Sequence, residues 1–172
     1  MKRWFACFLA LAVLFLGGCS VKDTSFFEPP QMEVRNGVDS GTATDNSIPA
    51  GTYSWVYYEN GEKHTEESDN RVFMLLEDPY DRATGIHSYN LWFGLYQIPD
   101  SVEIWVLNEQ GKKGESAEFF WDKERGVCQV FIENGKNYCV KAQWARKHYA
   151  KRGYYGSAVY YFSTYFPKYA EK

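Results

Sequence analysis

The chain predicts a mainly β protein, an antiparallel β-sandwich or small closed barrel of about eight strands with one short helix near its C-terminal third. Three observations carry that expectation. Short runs rich in β-branched and aromatic residues recur from residue 52 onward, turn dipeptides separate them, and a helical signal is confined to one stretch. The runs are residues 52–58, 71–77, 88–97, 101–107, 116–121, 127–133, 137–143 and 157–166. Between them stand Asn60-Gly61, Asp78-Pro79, Pro99-Asp100, Gln110-Gly111, Arg125-Gly126 and Asn134-Gly135. These residue types form turns because glycine and asparagine tolerate positive φ and proline presets it near −65°.

The helical stretch is 143–152, which lacks β-branched residues, places Lys147, Lys151 and Arg152 in its last turns and meets Gly153 as a stop. Residues 56–64 and 130–138 echo one another, each carrying Glu-Asn-Gly at its centre. Both are expected to be hairpins with the same turn chemistry, and nothing outside these nine residues repeats.

Two expected hairpins carry the candidate site residues. In the one around Pro99-Asp100, a tight two-residue connection puts Gln97 opposite Val102 and sorts the side chains by strict alternation. One face collects Leu91, Phe93, Leu95, Val102, Ile104 and Val106. The other collects Trp92, Tyr96, Glu103 and Trp105, with Gly94 across from Trp105. Two indoles, a phenol and a carboxylate around a glycine would suit a sugar ring or another flat ligand, unless a further layer covers them.

In the hairpin around Asn134-Gly135, a type I′ turn places Cys128 diagonally beside Cys139 on one face. A three-residue turn with a bulge gives the cleaner apolar face, Cys128, Val130 and Ile132 with Tyr138, Val140 and Ala142, but points the sulfurs apart. A Cys128–Cys139 disulfide is the expected outcome, because paired thiols are the commoner state of an exported protein.

Export is read from the N-terminus. Met1-Lys2-Arg3 precedes an apolar run from Trp4 to Leu16, which is too short to span a bilayer and ends in Leu16-Gly17-Gly18-Cys19. That tetrapeptide resembles the lipobox of bacterial lipoproteins, a likeness confined to residues 1–19. The resemblance implies cleavage before Cys19, acylation of its thiol and new amino terminus, and, with Ser20 rather than an aspartate next, the outer membrane. Residues 19–50, mixed in Ser, Thr, Asp, Asn, Gly and Pro, are expected to be a tether of ~30 residues, about 30 Å end to end as a coil. Residues 51–172 are expected to form a single domain.

Past residue 18 the chain holds 17 basic and 22 acidic side chains, a balance that argues against nucleic-acid binding. The charge is divided: residues 59–124 hold 15 acids and 6 bases, residues 125–172 hold 9 bases and 2 acids. Lys141, Arg146, Lys147, His148, Lys151 and Arg152 form a run without acids beside tyrosines. Lipid headgroups, acidic glycans or an acidic partner would suit it, and a solvated helix face is the plainer expectation. Glu59, Glu62, Glu66, Glu67 and Asp69 cluster around the first hairpin without a calcium-loop pattern.

No catalytic chemistry is expected. His64, His87 and His148 lack metal-ligand spacing, and neither a nucleophile elbow, a P-loop nor a zincin motif occurs. Neither cofactor nor metal is expected. The function expected is a non-enzymatic binding or assembly accessory of the envelope, such as a part of a secretion or surface-appendage system, holding a protein partner by a β face or edge. The alternatives are a glycan-binding module on Trp92, Tyr96 and Trp105, and an inhibitor offering its acidic loops to a basic envelope enzyme.

Overall fold

A computed structural model describes residues 26–36, 46–77, 86–94 and 97–165. Twelve strands are formed among them: β1 Met32–Asn36, β2 Asn46–Ile48, β3 Thr52–Glu59, β4 Glu62–Asp69, β5 Met74–Glu77, β6 Ile86–Trp92, β7 Ser101–Leu107, β8 Lys113–Ser116, β9 Phe119–Asp122, β10 Val127–Glu133, β11 Asn137–Trp144 and β12 Tyr154–Tyr165. They build two sheets, in the orders β2-β1-β6-β10-β9 and β4-β3-β12-β11-β7-β8, packed as a sandwich. We call these the small and the large sheet. All pairings are antiparallel except one, where β5 runs parallel to the last four residues of β12 and takes over from β3 along the same side.

Alternation sends one side chain in two from each sheet into a shared core. Met32, Val34, Tyr89, Leu91, Cys128, Val130 and Ile132 come from the small sheet; Trp55, Tyr138, Val140, Ala142, Trp144, Ala158, Tyr160 and Phe162 come from the large one. Trp55 lies edge-on to Trp144 at 5.1 Å and stacks on Tyr154 at 4.9 Å, so the core is built largely of interlocked rings. Along β12 the inward side chains are Ala158, Tyr160, Phe162 and Thr164.

The helical stretch is shorter than expected. A 3-10 turn, Arg146–His148, leads into helix α1, Tyr149–Arg152, which stops at Gly153 with φ 78°. Gly153 is therefore a left-handed cap, as its place after the basic residues predicts.

Three expectations are corrected. The tether is the first, since β1 and β2 lie within it: β1 is paired between β2 and β6, and Met32, Val34 and Ile48 are in the core. The apolar residues that looked too sparse for a strand suffice, because a five-residue strand needs only two inward side chains. The folded part therefore begins by Phe26, whose carbonyl accepts the Trp55 indole N–H at 3.0 Å.

The second correction concerns Pro99-Asp100, where no hairpin forms. β6 belongs to the small sheet and β7 to the large one. The chain crosses between them, held by the Trp144 indole N–H donating to the Gln97 carbonyl at 2.7 Å and by the Asp100 N–H donating to the Gln143 carbonyl at 2.7 Å.

Asn134-Gly135 is the third, and it too crosses from sheet to sheet, linking β10 to β11. The Gly135 N–H donates to the Thr164 carbonyl and the Lys136 N–H to the Thr164 hydroxyl, both at 3.0 Å. That hydroxyl donates in turn to the Glu133 carbonyl at 2.7 Å. Neither hairpin register is realised, and the expected disulfide is not formed: Cys128 and Cys139 are free and buried. Cys128 faces the core from the small sheet, while Cys139 points to the opposite side of the large sheet, beside Leu107 and Tyr161.

Candidate functional site

The ligand platform expected from the sequence is dispersed by the crossing at Pro99-Asp100. Trp92 sits on the outer side of the small sheet, opposite Glu33 and Val127, with the Arg35 guanidinium 5.4 Å from its ring centre. Glu103 and Trp105 sit on the outer side of the large sheet, opposite Lys141 and Cys139. Tyr96 and Leu95 lie outside the described residues. Trp92 thus shares no face with Glu103 and Trp105, and the flat-ligand site as drawn from a two-residue hairpin does not exist.

What the structure does bring together is a continuous apolar band across the outer face of the large sheet. Trp105, Cys139 and Tyr161 are side by side in register on β7, β11 and β12. Lys113 closes one end, its Nζ 3.3 Å from the Trp105 ring centre. At the other end Phe73 meets Tyr161, ring centres 5.5 Å apart. Beyond it the apolar surface is open: Val72 and Leu75 are 52% exposed, Phe73 and Met74 39%, and Tyr165, on the neighbouring strand, 53%. In this run only Leu76 turns into the core.

This open surface lies on a strand edge. Among the described residues β5 pairs with β12 and with no other strand, so main-chain donors and acceptors accompany the exposed side chains. The opposite treatment is seen on β4, the outermost strand on that side of the large sheet, where Glu62, Lys63, Glu66, Glu67 and Asp69 are all exposed. Charge on an edge discourages further strands from adding to it, whereas apolar residues do not.

The acidic residues expected to cluster are therefore spread along an edge. Asp69 accepts a hydrogen bond from Thr52 at 3.3 Å and Glu67 one from Ser54 at 3.4 Å. No group of three or more His, Cys, Asp or Glu side chains among the described residues could hold a metal ion.

One carboxylate is engaged differently. Asp100 accepts the Ala145 N–H and the Arg152 guanidinium, each at 2.7 Å, with His148 Nε2 at 3.4 Å and Lys123 Nζ at 3.9 Å. Burial alone would raise its pKa, but the hydrogen bonds from Arg152 and Ala145 and the surrounding positive charge outweigh burial and hold it below the ordinary carboxylate value. The group fastens the sheet crossing to the helical segment. It borders a groove of about 350 Å³ whose lining includes Ser54, Ser101, Gln143 and Ser157.

Neither thiol is built for chemistry. Burial pushes Cys128 up to about 12 and raises Cys139 as well, against the pull of Lys113, Arg71 and Lys141. A thiol so shifted is protonated at neutral pH and a poor nucleophile.

The exposed run 72–75 went unselected in the sequence, although it carried a signal. Five successive apolar residues, Val72 to Leu76, do not alternate, and a strand with one buried face can hide only every second one. Tyr161 and Tyr165 lie on the outer side of β12, where Phe73 covers Tyr161 and leaves Tyr165 open. No family description, curated protein or solved structure matches the chain.

Proposed function

We propose that the protein is a lipid-anchored component of the bacterial envelope, in the outer membrane, that binds a protein partner at its β5 edge and catalyses no reaction. The observation that carries this reading is the edge of β5 that no other described strand pairs, flanked by four consecutive exposed apolar residues, 72–75, and continued by the band from Tyr161 to Trp105. A partner adding an extended segment there would gain main-chain hydrogen bonds and bury apolar surface together, the usual logic of strand addition. The anchor rests on the lipobox resemblance at Leu16 to Cys19, which lies outside the described residues.

Two measurements test it. A photocrosslinking side chain at Leu75 is expected to capture a discrete partner in native membranes, and the same group at Glu66, on the charged edge, is expected to capture none. Equal capture at both positions, or none at Leu75, removes the partner reading. The native chain is expected to begin at Cys19 and carry added acyl mass; a different first residue, or no added hydrocarbon, removes the anchor.

A further inference from the structure

The corner of the molecule where the described chain begins also carries three exposed cations, Arg146, Lys147 and Lys151. Phe26 lies edge-on to Tyr154 at 5.6 Å and Phe27 edge-on to Tyr57 at 5.2 Å. Tyr57 is paired with Tyr154, so these contacts mark the end of the large sheet where β3 finishes and β12 starts. On the other side of the same end, Tyr58 stacks on Tyr149 at 5.9 Å, Tyr149 meets Tyr155 at 6.3 Å, and the Arg146 guanidinium sits 5.7 Å from the Tyr155 ring centre.

Around this tyrosine group Arg146, Lys147 and Lys151 are exposed, whereas His148 and Arg152 of the same segment are directed to Asp100. The nearest acids on the adjoining strands are Glu59 and Glu62 at the hairpin turn. Glu66, Glu67 and Asp69 lie progressively farther along β4, toward the end opposite Thr52.

Six residues separate Cys19 from Phe26. Even fully extended, those seven steps reach only about 25 Å. An acylated Cys19 would therefore hold this corner, and no other part of the domain as closely, near the bilayer surface. Tyrosine rings and long basic side chains are the groups that settle at a headgroup layer, the rings at the apolar boundary and the cations on phosphate.

We infer that the Tyr58–Tyr149–Tyr155 corner, with Arg146, Lys147 and Lys151, rests on the anionic phospholipid headgroups of the membrane that carries the Cys19 anchor. This rests on the anchored reading proposed above. It has a geometric consequence. β12 runs twelve residues from Tyr154 at that corner to Tyr165 beside β5, about 35 Å at the rise of an extended strand. The β5 edge then points away from the membrane, toward a partner.

The test uses the full chain with vesicles of phosphatidylcholine, alone or mixed with phosphatidylglycerol. Wild type is expected to bind the anionic vesicles at least about tenfold more tightly than the neutral ones, and the R146E/K147E/K151E variant is expected to lose that preference. Any contribution of the apolar N-terminus is common to all four combinations and cancels. Equal preference in variant and wild type overturns the inference.

Should the variant fail to fold, lysine acylation of wild type decides. Lys147 and Lys151 are expected to be protected by anionic vesicles while Lys112, on the loop before β8, stays reactive. Absence of that difference, or equal protection by free inorganic phosphate, overturns the membrane assignment. The anchor is judged separately by the mass of the native chain. An acylated Cys19 with unprotected Lys147 and Lys151 defeats this inference alone. An unmodified chain with protected lysines defeats the anchor alone.

Discussion

Residues 56–64 and 130–138 carry the same Glu-Asn-Gly turn and do different things with it. In the first, Glu59 pairs with Glu62 across Asn60 at φ 52° and Gly61 at φ 79°, a two-residue hairpin with both central residues left-handed. In the second, Gly135 is left-handed too, at φ 73°, but the strands on either side belong to different sheets. What differs is the strand that follows. β4 is polar on both faces and serves as a charged edge, whereas β11 has Tyr138, Val140, Ala142 and Trp144 to bury and does so between β12 and β7. A turn sequence sets the local backbone. The partner of the strand it releases is set by how much apolar surface that strand must hide.

The two segments align residue for residue, so the comparison can be broken at matched positions. The largest difference is expected at Tyr138 and His64. Tyr138 is 1% exposed, stacks on Phe162 and accepts the Glu133 N–H at 2.7 Å. Tyr138→Ala is expected to cost about 3 to 5 kcal/mol in a denaturant titration. His64, stacked on Tyr57 at 5.2 Å on the charged edge, is expected to lose no more than about 1 kcal/mol on changing to Ala. Comparable losses would mean that the two turns sit in equivalent surroundings.

Thr164→Val should come next. It removes the hydroxyl that ties the Lys136 N–H and the Glu133 carbonyl and is expected to cost about 1 to 3 kcal/mol.

The crossing at Pro99-Asp100 gives a pH test. The Asp100 carboxyl has its pKa lowered in the fold, so its contribution is present above the ordinary carboxylate range and is lost as pH falls through the folded value. Asp100→Asn is expected to lower stability by about 1 kcal/mol at neutral pH, and the variant and wild-type curves should converge in acid. Curves that stay parallel to low pH would remove Asp100 as the fastening group.

The smallest contrast is at the glycines. Gly61 and Gly135 are both left-handed, and a Cβ at either would meet nothing within 4 Å. Gly61→Ala and Gly135→Ala are therefore expected to cost the same, about 1 kcal/mol each. A clear inequality would show that the turns differ locally, contrary to the reading above.

Much of the fold was legible. β7 and β10 have the boundaries that their alternation predicts, β3, β11 and β12 differ by a few residues at their ends, and Asn60-Gly61 forms the expected hairpin. β1 and β2 were not legible as strands, and of β4 only the residues next to the turn, 62–64, were. Met32 and Val34 supply two buried side chains in a polar stretch, and β4 has no inner face of its own to announce it. The candidate site was half legible: Glu103 and Trp105 share the outer face of β7 as alternation requires, and Trp92 was placed with them only by assuming a hairpin.

From the sequence alone follow the β class, the local turn conformations and which residues of each strand share a face, because these depend on φ preferences and a two-residue period that neighbours along the chain decide. Which strands stand beside each other, the separation of Cys128 from Cys139 and the exposure of the 72–75 run were decided by the tertiary structure. Pairing is a competition among all strands to bury apolar area and satisfy main-chain groups, and no window of sequence contains the competitors.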